Sequence, residues 1–214
     1  MIKRKEYASA MAALEKELPE LRGKDRNKGL LLCAQLETDF SNATDIYNGI
    51  ISSAGDNEEL EARLELAKIH YAAGYYQRVI DLLSSVKPRF RCEECYESIY
   101  LRALAWRQIG EFGVARREFL KVDRGPFLEW SYIALAEIDI IEGDIEKAIE
   151  RYETIGGSHS YPVAGFKLGE CYEILGDRTK AEKAFRTVLH QFPRSLEAPK
   201  AREKLRYLGS GGRP

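Results

Sequence analysis

The sequence predicts an all-α protein, a solenoid of stacked antiparallel helical hairpins. Four glycines recur at intervals of 36, 33 and 33 residues, each between two helical patterns; they are Gly74, Gly110, Gly143 and Gly176. Small and large residues also recur at fixed distances from these glycines. One hairpin cannot bury its apolar face alone, so hairpins that repeat at this period are expected to stack on one another.

The size pattern around the glycines indicates how the hairpins pack. Seven residues before each glycine stands a small residue: Ala67, Ala103, Ala136 and Gly169. Five residues after each glycine the side chain is again of modest size: Val79, Ala115, Ala148 and Ala181. Nine residues after, it is large: Leu83, Phe119, Tyr152 and Phe185. Small residues let paired helices approach closely, and large ones fill the space between hairpins.

Prolines and apolar spacing give the predicted limits of each element. Apolar residues follow a spacing of three and four between the glycines, as in an amphipathic helix. Prolines 88, 126, 162 and 193 fall between hairpins. We therefore divide the chain into N-terminal helices over 1–59, which hold at most one degenerate repeat, and four hairpins over 60–195. The hairpins cover 60–95, 96–128, 129–161 and 162–195. A capping helix over 196–208 and a disordered tail over 209–214 follow.

Residues 162–195 resemble a tetratricopeptide repeat. The residues that match the pattern of that family, in order and spacing, are Leu168-Gly169, Tyr172, Gly176-Asp177, Ala181, Phe185 and Pro193. Gly165 stands where the family usually has tryptophan. The three preceding hairpins match less completely. The stretch from His190 to Ser195, followed by Ala198 and Ala201, is similar to bacterial envelope repeat proteins. The resemblance implies a right-handed superhelix of the bacterial type that acts as a protein-interaction scaffold.

In tetratricopeptide repeats the first helix of each hairpin lines a concave groove that binds a partner. Carried onto this sequence, the groove positions are Leu64, Lys68, Tyr71, Tyr100, Leu104, Arg107, Trp130, Ile133, Glu137, Ile140, Phe166, Glu170 and Glu173. We expect Trp130 and Tyr100 to be the main anchors. Family members that grip a C-terminal carboxylate use basic and amide residues where this chain has Leu64, Tyr100 and Ile133. A peptide or helix with apolar anchors is therefore the expected partner.

Composition limits the classes of partner and the location. The chain of 214 residues has a formal charge of −1, which gives no general attraction to nucleic acid. No apolar stretch reaches the roughly 18 to 20 residues that a membrane span needs. No secretory signal is recognisable in residues 1–22. We therefore expect a cytoplasmic protein without membrane insertion, or a periplasmic one if this chain is a piece of a longer protein.

The four cysteines offer the only suggestion of chemistry. Cys92 and Cys95 form a C-x-x-C motif, while Cys33 and Cys171 lie in other repeats, so four ligands for a structural zinc are not expected to meet. Four unpaired thiols are expected, which fits a reducing compartment. No motif for catalysis or phosphate binding occurs. The sequence therefore predicts neither an enzyme nor a cofactor or metal site.

Three functions remain open at this point. The first is an adaptor or scaffold that holds a partner peptide or helix in the groove, within a multiprotein assembly. The second is a self-associating structural subunit, a homo-oligomer whose groove is filled by its own helices. The third and most remote is a thiol redox switch at Cys92 and Cys95.

Overall fold

The computed structural model describes residues 2–53, 55–89, 91–156 and 162–210. Over these ranges the chain forms twelve α-helices and no strand, which confirms the predicted all-α class. The helices are α1 (Ile2–Glu17), α2 (Gly23–Leu36), α3 (Phe40–Ser53), α4 (Asp56–Ala72), α5 (Tyr76–Leu83), α6 (Glu93–Gln108), α7 (Phe112–Phe119), α8 (Leu128–Ile141), α9 (Ile145–Gly156), α10 (Pro162–Ile174), α11 (Arg178–Gln191) and α12 (Glu197–Gly209).

The helices form two compact units, Met1–Lys121 and Val122–Pro214. In the first unit each helix from α1 to α7 packs on the next, and α4 also packs on α6. In the second unit the same holds from α8 to α12, and α10 also packs on α12. Contacts between chain neighbours, and between the first helices of adjacent hairpins, are those of a solenoid of helical hairpins. The predicted antiparallel hairpins are therefore present in both units.

The four repeat glycines end the first helices in one and the same way. Each has a positive φ, between 75° and 85°. The amide of Gly74 donates to the carbonyl of Tyr71 at 3.0 Å, and the amide of Tyr75 donates to the carbonyl of His70 at 2.8 Å. Equivalent pairs of bonds close the turns at the other three glycines. This pairing is the Schellman motif, which needs a left-handed residue and so favours glycine.

The predicted alternation of small and large residues is the packing seam of the hairpins. Ala67, Ala103 and Ala136 are buried, and so is Gly169. The large residues at the later offset are fully buried as well: Leu83, Phe119, Tyr152 and Phe185. Tyr152 and Phe185 belong to one apolar cluster of the second unit, together with Ala136, Ala148 and Ala181. The size pattern in the sequence therefore corresponds to core packing.

A buried ion pair joins three helices of the first unit. Arg102 of α6 contacts Glu118 of α7, with 2.6 Å between Nη2 and Oε2, and Lys121 contacts the other carboxylate oxygen at 2.6 Å. Arg102 also donates to the carbonyl of Leu83, the last residue of α5, and to that of Val86, three residues further on. One guanidinium thus ties α6 to α7 and to the end of α5, where the Leu83 carbonyl also accepts a hydrogen bond from the amide of Val86 at 3.1 Å.

The Glu118 carboxylate should make stability depend on pH. Burial acts to raise its pKa, but the hydrogen bonds from Lys121 and Arg102 prevail and hold the pKa below its usual value. A lowered pKa in the folded state adds stability above the unfolded pKa of about 4.3, and that stability is lost as the pH falls through the folded pKa. We expect the difference in unfolding free energy between wild type and Glu118→Gln, measured with urea, to shrink from pH 7 to pH 3. A constant difference would contradict this role.

Three elements of the structure lie at or near the limits of the predicted domain division. Helix α6 begins at Glu93, inside the segment assigned to the first hairpin, because Cys92 caps its first turn. The predicted capping helix corresponds to α12, which packs on both α10 and α11. Residues 211–214 of the predicted disordered tail lie outside the described residues. The division into N-terminal helices and four hairpins remains our interpretation of the repeat.

Candidate docking surface

In the first unit, α4 and α6 are the first helices of adjacent hairpins, and polar contacts connect them. The Lys68 ammonium lies 2.8 Å from a carboxylate oxygen of Glu97. The amide nitrogen of Gln108 donates to the hydroxyl of Tyr71 at 3.2 Å. These contacts bring predicted groove residues of α4 onto the same face as side chains of α6. We call this face, made by Lys68, Tyr71, Tyr100, Leu104 and Arg107, the α4–α6 face.

The predicted groove residues of the first unit differ in exposure. Leu64 is buried in an apolar cluster with Ala67, Val79 and Leu83, so a partner cannot reach it without rearrangement. The five residues of the α4–α6 face are half-buried. The Tyr100 ring packs from this face onto the buried Phe119 ring, with 5.7 Å between ring centroids. Leu64 therefore supports the face from within, and the other five form its surface.

Lys68 is the electrostatic centre of the α4–α6 face. Burial acts to lower its pKa, but hydrogen bonds to Glu97 and Glu65 and the charges of both carboxylates outweigh burial and raise it. The ammonium therefore stays charged and is compensated by two glutamates, at 2.8 Å and 2.9 Å. A charge that is already paired offers little to a ligand carboxylate. Apolar and aromatic contacts are what this part of the face provides.

In the second unit the predicted residues also divide by exposure. Ile133 and Phe166 are buried in the apolar cluster, whereas Trp130, in the first turn of α8, is 40% exposed. Four further predicted residues are half-buried: Glu137, Ile140, Glu170 and Glu173. Glu170 pairs with Lys167 at 2.9 Å, and Glu173 pairs with Lys204 of α12 at 2.6 Å. The accessible predicted residues here are thus Trp130, Ile140 and three glutamates.

A cleft of about 510 Å³ lies between α10 and α12. Phe166 and Glu170 line it from α10, while Lys200, Lys204 and Tyr207 line it from α12. The Lys200 ammonium is 6.0 Å from the Phe166 ring centroid, and Tyr207 is 53% exposed. Sequence reasoning missed the α12 residues because it gave this helix a capping role only. The aromatic Tyr207 on the basic α12 was the signal that could have marked them.

The cysteines correct one prediction. Cys92 and Cys95 form a disulfide, with 5.2 Å between their Cα atoms, instead of two free thiols. Cys92 is the N-cap of α6 and Cys95 lies three residues on, so the two side chains are neighbours on the first turn. Cys33 and Cys171 are free and buried, and burial raises the pKa of the Cys171 thiol to about 11. Neither of these two thiols is in the reactive thiolate form at neutral pH.

Within the described ranges, no group of three or more histidine, cysteine or acidic side chains is placed to hold a metal ion. None of the helices in those ranges combines the length and the apolar character needed to cross a membrane.

Stacked hairpins with a buried small-to-large seam and half-exposed first helices define a helical-repeat protein. Residues 163–195, which span most of α10 and all of α11, match the family model of the tetratricopeptide repeat. This segment is therefore a tetratricopeptide repeat, and the family predicted from the sequence is confirmed there. A search of curated proteins found no match.

Solved structures with this architecture resemble the chain over most of its length. The crystal structure of MamA matches with a TM-score of 0.62 and 23% identity, over 80% of this chain and 96% of that one. A tetratricopeptide repeat protein from Parabacteroides merdae matches with a TM-score of 0.59 and 13% identity, over 96% of this chain and 74% of that one. The C-terminal part of a repeat-containing protein from Cytophaga hutchinsonii matches with a TM-score of 0.65 and 18% identity, over 94% of this chain and 83% of that one. At these identities the similarity concerns the fold, which is that of a tetratricopeptide-repeat solenoid.

Proposed function

We propose that the protein is a non-catalytic scaffold that holds a partner polypeptide against the first helices of its hairpins, within a multiprotein assembly. The observation that carries the proposal is the α4–α6 face, where Tyr71, Tyr100 and Leu104 are half-buried on adjacent helices. Apolar side chains that stacking leaves partly uncovered are typical of surfaces that bind partners. Trp130 is the corresponding anchor in the second unit.

The partner that fits this surface is a helix or extended peptide with apolar side chains. A clamp for a C-terminal carboxylate needs several cations that are available to the ligand, and of the two cations on this face Lys68 is already paired with Glu65 and Glu97. The tyrosines and Leu104 instead offer flat apolar contact area with few rotatable bonds. Partner recognition by apolar anchors along one helical face is a common mode of peptide binding.

A charge placed on the α4–α6 face should weaken partner binding. We expect Leu104→Asp to weaken the affinity for the native partner at least tenfold, because a desolvated carboxylate without a partner costs more than about 1.4 kcal/mol. The partner is identified by tagged capture from native cells, and its dissociation constant is then measured by calorimetry. The matched control is Leu120→Asp, which introduces the same charge at an exposed leucine after α7. Equal affinities of the two variants would contradict the proposal.

Trp130 should contribute to binding and little to folding. We expect Trp130→Ala to keep the melting temperature of wild type and to weaken partner binding about tenfold or more, since aromatic anchors dominate such interfaces. Tyr75→Ala, at another exposed aromatic residue, serves as the control for binding. A large drop in melting temperature with unchanged affinity would place the indole in the core and remove it from the docking surface.

Self-association is the second candidate, and one observation favours it. Ile141 and Ile174 are 59% and 60% exposed, and both lie two residues before a repeat glycine. They put two large aliphatic side chains on the turn side of adjacent hairpins in the second unit. Sedimentation at increasing concentration tests this function. A mass that rises to a dimer in wild type and stays monomeric in Ile174→Lys would favour the homo-oligomer over the scaffold.

The compartment that we propose is the cytoplasm, with the periplasm as the alternative. The prediction from unpaired cysteines no longer distinguishes them, because the Cys92–Cys95 disulfide suits an oxidising compartment while Cys33 and Cys171 are free. Fractionation of native cells, with detection of the protein by antibody, separates the two.

A further inference from the structure

We propose that the Cys92–Cys95 disulfide is a thiol-exchange site that accepts a small anionic thiol, such as glutathione, through the cleft beside it. This inference is independent of partner docking, because it concerns the junction between α5 and α6 on the first unit. The junction joins three features: a disulfide on the first turn of α6, an adjoining cleft, and cationic side chains at its rim.

The cleft determines which sulfur an incoming thiol meets. It measures about 380 Å³ and lies between α4 and the chain segment that follows α5. Cys95 lines this cleft, whereas Cys92 does not. Both cysteines are otherwise nearly inaccessible. Because Cys95 lines the cleft and Cys92 does not, we place the attack of an entering thiolate on Cys95 Sγ, with Cys92 as the leaving group.

Cys92 is well placed to leave as a thiolate. Its Sγ accepts a hydrogen bond from the backbone N–H of Cys95 at 3.2 Å, at the N-terminus of α6. The guanidinium of Arg89 lies 3.8 Å from the same sulfur. A backbone donor, the positive end of a helix dipole and a nearby cation stabilise negative charge on sulfur, and they outnumber the one opposing group, a Glu94 carboxylate oxygen at 4.0 Å. Bond cleavage in this direction therefore places the developing charge where the chain can stabilise it.

The exchange balances with two equivalents of thiol. The attacking thiolate forms a bond to Cys95 Sγ, the Cys92–Cys95 bond breaks, and its electron pair stays on Cys92, which later takes a proton from water. A second thiolate then attacks the sulfur of the bound thiol and releases Cys95 as a thiolate. The small thiol is oxidised to its disulfide, and the protein disulfide is reduced to two thiols.

The charges around the cleft select an anionic thiol. Arg63 is compensated by Glu59, with 2.7 Å between Nε and the carboxylate oxygen. Lys87 and Arg89 are exposed at the rim and add two positive charges. A cationic rim raises the local concentration of a ligand that carries carboxylates, and it has no such effect on a neutral thiol. Glutathione carries two carboxylates, whereas 2-mercaptoethanol carries none.

The first experiment maps the mixed disulfide. The oxidised full-length protein is treated with reduced glutathione, quenched in acid at short times, alkylated and analysed by tandem mass spectrometry. We expect a transient glutathione adduct on Cys95, with Cys92 alkylated. An adduct on Cys92 would overturn the proposal, and so would a protein whose two cysteines are still free thiols after purification under oxidising conditions.

The second experiment tests selection by charge. We expect Lys87→Glu to slow disulfide cleavage by glutathione about fivefold or more at low ionic strength, and to leave the rate with 2-mercaptoethanol unchanged. Lys183→Glu makes the same charge change at an exposed residue of α11 and should alter neither rate. Both substitutions are at exposed positions, so the fold is retained. Equal slowing with both thiols, or equal effects of the two variants, would contradict an anionic-thiol site.

Discussion

Replacement of Arg102 by methionine will lower the free energy of unfolding by about 3–5 kcal/mol, because it breaks a buried ion pair and leaves one partner without its main counter-charge. Arg102 is 5% exposed and lies 2.6 Å from Glu118. The same guanidinium satisfies the carbonyls of Leu83 and Val86. The variant would thus leave a buried carboxylate with Lys121 alone, and two carbonyls without this donor.

Urea unfolding measures this loss, and two further variants define its cause. Arg186→Met removes an exposed arginine whose contact with Glu182 is 3.9 Å long, and it should change stability by less than about 0.5 kcal/mol. The double variant Arg102→Met, Glu118→Leu should regain most of the loss, since no buried charge is then unpaired. If Arg102→Met were as stable as Arg186→Met, the ion pair would have no structural role.

Gly169→Ala is expected to destabilise the second unit by about 1–3 kcal/mol, although alanine is the better helix former. A β-carbon at position 169 would lie 2.7 Å from Cζ and 2.8 Å from Cδ1 of the Phe185 ring. Phe185 is fully buried and packs on the Phe166 ring, at 5.5 Å between centroids, so it has little room to move. The methyl group must therefore displace either the ring or the helix.

The same substitution at Gly49 provides the control. Gly49 lies within α3, and a β-carbon there would meet no atom within 4 Å. Gly49→Ala should therefore raise stability by about 0.5–1 kcal/mol through helix propensity alone. Thermal and urea unfolding of both variants give the comparison. Stabilisation by both substitutions would show that α10 and α11 do not cross as closely at this point as the packing requires.

The features that could be predicted from the sequence are those set by local chemistry. A left-handed turn residue must be glycine, so Gly74, Gly110, Gly143 and Gly176 mark the turns without knowledge of the tertiary structure. Close helix crossings exclude large side chains, so Gly169 opposite Phe185 can be recognised from residue size. Both signals act within one hairpin and repeat at its period.

The features that could not be predicted depend on how neighbouring helices cover one another. Leu64, Ile133 and Phe166 occupy positions that face a groove in the related family, yet here they are buried against adjacent elements. The disulfide was missed because its geometry depends on α6 beginning at Glu93, which puts both cysteines on one helical turn. Exposure and helix starts are properties of packing, and the spacing of residue types determines them only partly.

Site-directed photo-crosslinking in native cells tests the docking surface most directly. Benzoylphenylalanine is placed at Tyr71 or Leu104, on the α4–α6 face, and at Tyr75 or Leu120 as controls of the same residue types at exposed positions. We predict that positions 71 and 104 crosslink to one and the same partner polypeptide and that positions 75 and 120 do not. A partner captured from 75 or 120 but from neither 71 nor 104 would contradict docking on the first helices.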